Sequence, residues 1–153
     1  MNRYEELTQE TADLGLTVRE KPLEANDGRI KRNRVAIRST IPTSTQKACV
    51  LAEELGHHHT SYGNIIDFTK ASNRKQEHRA RMWAYNKMVG LMGLIDAFEK
   101  KCQDLSEMAD YLDVTEEFLQ ESINCYSAKY GTHVTVDNYI VFFAPRLGVM
   151  KLI

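Results

Sequence analysis

Apolar residues recur at helical spacing near the start of the chain and then give way to alternation. The helix face comprises Tyr4, Leu7, Thr11 and Leu14. Gly15 follows directly and is suited to cap the helix. Residues 16–20 alternate as a strand does, and two short alternating runs within 28–38 flank a polar turn at Arg32-Asn33, which indicates a β-hairpin. We therefore expect a helix followed by a small antiparallel N-terminal sheet.

Helical periods dominate the rest of the chain. The hydroxyl groups of Thr43, Ser44 and Thr45 can cap a helix that runs to His59. A further helix is predicted from about residue 72 to residue 89, and an apolar helix follows it. Residues 105–112 and 115–130 are predicted to form two more helices. Residues 139–145 favour a last strand. The fold class predicted is α+β, mostly helical, and the 153 residues suit a single domain over 1–153.

Composition narrows the class of protein. Lys and Arg number 20 against 21 Asp and Glu, for a net charge of −1, so direct binding of nucleic acid is not favoured. The three cysteines are widely spaced without a C-x-x-C pair, which is typical of free thiols in a reducing compartment. A charged N-terminus and the lack of a long apolar run argue against a signal peptide or a membrane span. We expect a cytoplasmic protein without a membrane partner.

The segment LAEELGHHHT, residues 51–60, differs by one letter from the zinc-peptidase pattern H-E-x-x-H, because Glu53 occupies the first histidine position. Glu53 and His57 are four apart and share a helix face, so both can bind one ion. Glu54 projects about 100° away, where a general base can take a proton from metal-bound water. Glutamate is an accepted zinc ligand at roughly 2.0–2.2 Å. We predict Glu53 and His57 as zinc ligands and Glu54 as the base.

A third ligand is expected on the next helix. Glu77, Ala80 and Ala84 form one stripe there, and two alanines beside an acid allow a neighbouring helix to approach closely. Gly56 would serve the same contact, which explains a residue that costs a helix roughly 1 kcal/mol relative to alanine. Glu77 is therefore predicted to complete a site for one zinc ion (Zn²⁺).

Together these segments resemble the ImmA/IrrE-type metallopeptidases, whose pattern is HELGH followed by E-x-x-A-x-x-F-A. Here the second motif is Glu77-x-x-Ala80-x-x-Trp83-Ala84, and a G-R-I-x-x-N-x-V-A-I hairpin precedes the first. Residues 109–115 also lie where this family has a similar segment, so the resemblance runs from about Gly28 to the end.

The resemblance implies a zincin-like core and a small cytoplasmic zinc endopeptidase of phage or mobile-element type that cleaves a partner transcriptional repressor. It makes His57 the second histidine ligand, Glu54 the base and Glu77 the acidic ligand. Glu53 departs from the family pattern. The alternative is therefore a weakened or inactive relative that binds the repressor as an anti-repressor protein. The repressor, the scissile bond and the oligomeric state are left open.

Several residues allow two interpretations. His58 is a reserve ligand or a surface residue, and Cys49 is a zinc thiolate or a buried core residue. Asp67 is a hydrogen-bond acceptor for His57 or a turn residue. Trp83 is most simply a core residue.

A rival class is suggested by residues 106–120, which have the apolar rhythm of a helix-turn-helix. Glu116, Glu117 and Glu121 make the second helix of that pair a poor surface for phosphates. We interpret the pair as structural or as a repressor-docking surface.

Overall fold

The computed structural model describes residues 1–60 and 70–153, which form two compact units, Met1–Ala84 and Tyr85–Ile153. The helices are α1 (Arg3–Asp13), α2 (Ser44–Thr60), α3 (Lys70–Met88), α4 (Gly90–Glu99), α5 (Leu105–Leu112) and α6 (Glu116–Tyr130). The strands are β1 (Thr17–Lys21), β2 (Gly28–Lys31), β3 (Arg34–Arg38), β4 (His133–Val136), β5 (Tyr139–Phe142) and β6 (Gly148–Lys151). The mostly helical α+β fold is confirmed. The single domain over 1–153 stays a prediction.

Local signals determine where the first helix begins and ends. The side chain of Asn2 accepts a hydrogen bond from the Glu5 amide at 2.8 Å, which caps α1. Gly15 has φ +82, a left-handed conformation that ends the helix at low cost. The α1 face that carries Leu7 and Thr11 is buried, and α1 packs against α2.

The N-terminal sheet has the strand order β1-β3-β2. The β2–β3 pair is the predicted antiparallel hairpin, and Arg32 takes φ 56 in its turn. β1 pairs with β3 in parallel, so the sheet is mixed rather than purely antiparallel as expected. Alternation predicts a strand but not its neighbour, and β3 lies between the two strands that precede it. Val35 and Ile37 on this central strand are buried on the face that α2 covers.

A capping box begins α2. The backbone N–H of Gln46 donates to Thr43 Oγ1 at 3.1 Å, and the backbone N–H of Thr43 donates to Gln46 Oε1 at 3.2 Å. The buried face of α2 consists of Ala48, Cys49, Leu51, Ala52, Leu55 and Gly56. The helix is thus held at its start by its own side chains and along its length by the sheet and α1.

In the second unit, α5 and α6 are joined at Asp113, which has a left-handed φ of 54. The apolar residues that suggest a helix-turn-helix are buried core residues: Met108, Ala109, Leu112, Val114, Phe118 and Leu119. An antiparallel sheet in the order β4-β5-β6 follows, of which the sequence predicts only β5. The alternation of β4 before a turn at Asp137, where φ is 51, was the signal for the missed hairpin.

None of the helices in residues 1–60 and 70–153 combines the length and the apolarity needed to cross a bilayer.

Candidate metal centre

The candidate site depends on a backbone contact between α2 and α3. A Cβ added to Gly56 would lie 2.8 Å from the Ala80 carbonyl carbon and even closer to its oxygen. Ala80 and Ala84 are both fully buried. The predicted close approach of the two helices through small residues is confirmed.

This contact brings His57 and Glu77 together. His57 Nε2 lies 3.3 Å from Glu77 Oε2, and the other carboxylate oxygen of Glu77 lies 3.5 Å from Arg81 Nε. The side chains of His57 and Glu77 are 29% and 45% exposed, so solvent reaches both groups. Glu77 is thus oriented by an imidazole on one side and by a guanidinium one turn along its own helix.

Glu54 lies at the inner side of the site, half-buried against β2. A Cβ on Gly28 would come within 2.9 Å of Glu54 Cγ, so the absence of a side chain at position 28 makes room for the carboxyl group. Burial, together with the smaller effects of the negative charges of Glu53 and Glu77, raises the pKa of Glu54 to about 7. At neutral pH this carboxyl group can both accept and release a proton.

Two of the three predicted ligands have a spacing suited to zinc. Neighbouring donors in a tetrahedral site with bonds of about 2.0–2.1 Å are about 3.3 Å apart, which matches the His57–Glu77 separation of 3.3 Å. Glu53 precedes Glu54 in the chain, and its negative charge contributes to the raised pKa of Glu54. In the described part of the chain, however, no group of three or more His, Cys, Asp or Glu side chains is placed to hold an ion. The His57–Glu77 separation is compatible with a shared ion, and metal binding by Glu53, His57 and Glu77 stays a prediction.

The residues for which the sequence allows two interpretations lie partly in the core and partly on the surface. Cys49 is buried in α2, whereas His58 and His59 are exposed. His59 stacks on Trp83 with ring centroids 4.6 Å apart. Trp83 is partly buried, so it lies at the edge of the core. Asp67 lies outside the described residues.

Sequence reasoning missed two residues of the site. Arg81 is four residues after Glu77 on one helix, a spacing from which the ion pair could have been predicted. Gly28 gave no such signal, because its contact with Glu54 joins a strand to a helix that is distant in sequence.

We expect Glu54→Gln to stabilise the metal-free protein increasingly as pH rises. The pKa is about 7 in the folded chain against 4.5 for an ordinary glutamate, so the charged form is disfavoured by folding. This penalty is absent below pH 4.5 and complete above about 7. After discounting for solvent screening, the gain should be on the order of 1 kcal/mol. Urea unfolding with a chelator, at several pH values, measures it.

The matched control for that series is Glu117→Gln, at an exposed position of α6. A gain for Glu54→Gln that is equal at acidic and alkaline pH would contradict the burial of the Glu54 carboxyl group.

Comparison with known proteins gives one family. A family model for the peptidase M78 group, described as the IrrE N-terminal-like domain, matches residues 11–124. No curated protein and no solved structure matches the chain. The matched range is well over half of the chain and contains every residue of the candidate site.

Proposed function

The chain belongs to the peptidase M78 family of IrrE N-terminal-like domains, and we propose that it is a zinc-dependent endopeptidase that cleaves a partner transcriptional repressor. The observation that carries the proposal is the contact of His57 with Glu77 beside the half-buried carboxyl group of Glu54. The proposal includes a cytoplasmic location, a phage or mobile-element context, and no direct contact with nucleic acid.

We assign His57, Glu77 and Glu53 to hold the ion. His57 and Glu77 already have the separation that two zinc donors need. Glu53, one turn before His57, is assigned as the third donor because residues four apart share a helix face. A zinc ion held there supplies Lewis acidity for the scissile carbonyl group and for the attacking water.

The proton chemistry is assigned to Glu54. Its half-buried carboxylate can take the proton of the attacking water, and the resulting acid can give a proton to the leaving amine. Its side chain occupies the space that Gly28 leaves beside β2. Arg81 holds the Glu77 carboxylate from the side opposite His57.

A second function is favoured by two observations. Among residues 1–60 and 70–153, the donors do not form a three-residue group, and Glu53 replaces a neutral imidazole with a charged carboxylate. This suits a relative that binds the repressor without cleaving it. The two functions differ in metal content and in cleavage of the captured repressor.

We expect Glu53→His to bind zinc more tightly than the natural chain. Imidazole is a better zinc ligand in this position of the pattern, and its neutrality removes the repulsion between Glu53 and Glu77. The measurement is competitive zinc titration of both proteins, with elemental analysis of protein purified without added metal or chelator. His57→Ala is the control that should lose zinc. If neither the natural chain nor Glu53→His retains any zinc, the site is not a metal site.

We expect Gly28→Ala to weaken peptidase activity while the fold survives. The added Cβ would lie 2.7 Å from Val50 Cγ1 and 2.9 Å from Glu54 Cγ, both atoms of side chains that can move. Glu54 should therefore swing away from the cleft. Activity at saturating zinc and the urea midpoint are measured on the same samples. Full activity with an unchanged midpoint would show that Glu54 does not need the space at position 28.

A further inference from the structure

The sheet of the first unit has an open face that is strongly basic. Five exposed cations line a groove of about 730 Å³ on the side opposite the buried Val35 and Ile37, namely Arg19, Lys21, Arg29, Lys31 and Arg34. We call this surface the basic face. It lies on β1, β2 and β3, on the side of the sheet that α2 does not cover.

Strand register arranges these cations in rows. Ala36 pairs with Arg19 on one side and with Arg29 on the other, so the small side chain of Ala36 lies between two arginines. In the next row Arg34 is directly opposite Lys31. Successive rows are two residues apart along the strands, about 6.6–6.8 Å.

The cations of the basic face are not compensated by nearby acids. None of the five forms an ion pair with a residue in the described ranges. Two acids of this region pair with other cations: Glu20 lies 2.7 Å from Lys47, and Asp27 lies 3.5 Å from Arg38. Like charges directly opposite on a sheet are destabilising, so the arrangement opposes folding unless an anion offsets it.

We propose that the basic face binds an acidic segment of a protein partner in extended conformation. An extended peptide presents alternate side chains to one side at the same spacing as the rows of cations, so alternating carboxylates can meet successive rows. The proposal rests on the proposed function in that the partner is the protein substrate, and it makes the basic face a docking surface separate from the zinc ligands.

Three observations favour a peptide over nucleic acid. Among the described residues, the groove lining contains no aromatic side chain on which bases could stack. The strands are only four or five residues long, about 15 Å. The whole chain has a net charge of −1, so apart from these five cations it carries −6. A long polyanion would therefore meet repulsion beyond the face, whereas a short acidic segment would not.

The test is fluorescence anisotropy with a labelled peptide in which glutamate alternates with serine, and with a glutamine–serine peptide as its neutral match. The full chain should bind the acidic peptide, with affinity that falls as salt is raised. Arg19→Glu combined with Arg29→Glu should weaken binding by roughly tenfold or more. Lys100→Glu combined with Lys129→Glu, which changes the net charge equally at exposed positions of the second unit, should leave binding within about twofold.

Equal loss in both double variants, or equal binding of the two peptides, would overturn the proposal. Tighter binding of a short DNA duplex than of the acidic peptide would overturn the choice of occupant. The assay needs neither zinc nor cleavage, so its failure is distinct from failure of the proposed function. Failure of that function would appear as absent zinc or an uncleaved repressor.

Discussion

Glu54→Gln is expected to remove proteolysis of the partner repressor while leaving zinc bound. Glutamine keeps the shape of the side chain but cannot take a proton from water, and loss of a positioned general base costs about 10²–10⁴-fold in rate. The assigned ligands Glu53, His57 and Glu77 are untouched, and removal of a neighbouring negative charge leaves the donor pair in place. A protein that is fully loaded with metal but inactive is the expected result.

The Glu54→Gln variant can also be used to identify the substrate. Immobilised Glu54→Gln should retain the repressor from a lysate of the native host, and the captured protein is then incubated with the natural chain and its fragments are mapped by mass spectrometry. His57→Ala is the control, expected to lose both zinc and cleavage. If the metal-loaded Glu54→Gln protein cleaves the captured repressor at the natural rate, Glu54 is not the base.

Gly56→Ala is expected to destabilise the chain by about 2–3 kcal/mol, a large share of the 5–15 kcal/mol typical of a domain. The new Cβ would meet the backbone carbonyl group of Ala80, which cannot turn aside as a side chain can. Alanine is favoured over glycine in a helix by about 1 kcal/mol, and this gain offsets part of the steric cost. The steric cost is therefore larger than the measured loss of stability by about 1 kcal/mol. Separation of α2 from α3 should also weaken zinc binding, because His57 and Glu77 are carried by the two helices.

Urea unfolding at equal protein concentration measures this loss. The matched control is Gly93→Ala in α4, another helical glycine, whose added Cβ would meet only Leu112 Cδ2 at 3.3 Å. That side chain can shift, so the control should change stability by less than about 1 kcal/mol. Equal effects of the two substitutions would mean that the helices do not touch at Gly56.

Features encoded by neighbouring residues could be predicted from the sequence. The end of α1 at Gly15, the turn at Arg32 and the cap at Thr43 each depend on a few consecutive residues. The contact of His57 with Glu77 is distant in sequence, yet it could be predicted because Gly56 and Ala80 supply small residues at matching places on two helices.

Other features depend on packing that a periodic pattern does not specify. The alternation of polar and apolar residues predicts a strand but does not determine which strand it pairs with. The parallel pairing of β1 with β3 was therefore missed. The four-residue strand β6 is too short for a clear period. The raised pKa of Glu54 arises from burial against a residue on another element, and the open basic face depends on which side of the sheet α2 covers.

The contact of Gly56 with Ala80 also has a genetic consequence. Because a larger residue at position 56 collides with the carbonyl group of Ala80 rather than with its methyl group, Ala80→Gly does not relieve the collision. A suppressor screen started from Gly56→Ala should therefore recover reversion or distant stabilising changes, and no compensating change at position 80. The constraint at position 56 is therefore set by the backbone of α3, and no choice of side chain at position 80 removes it.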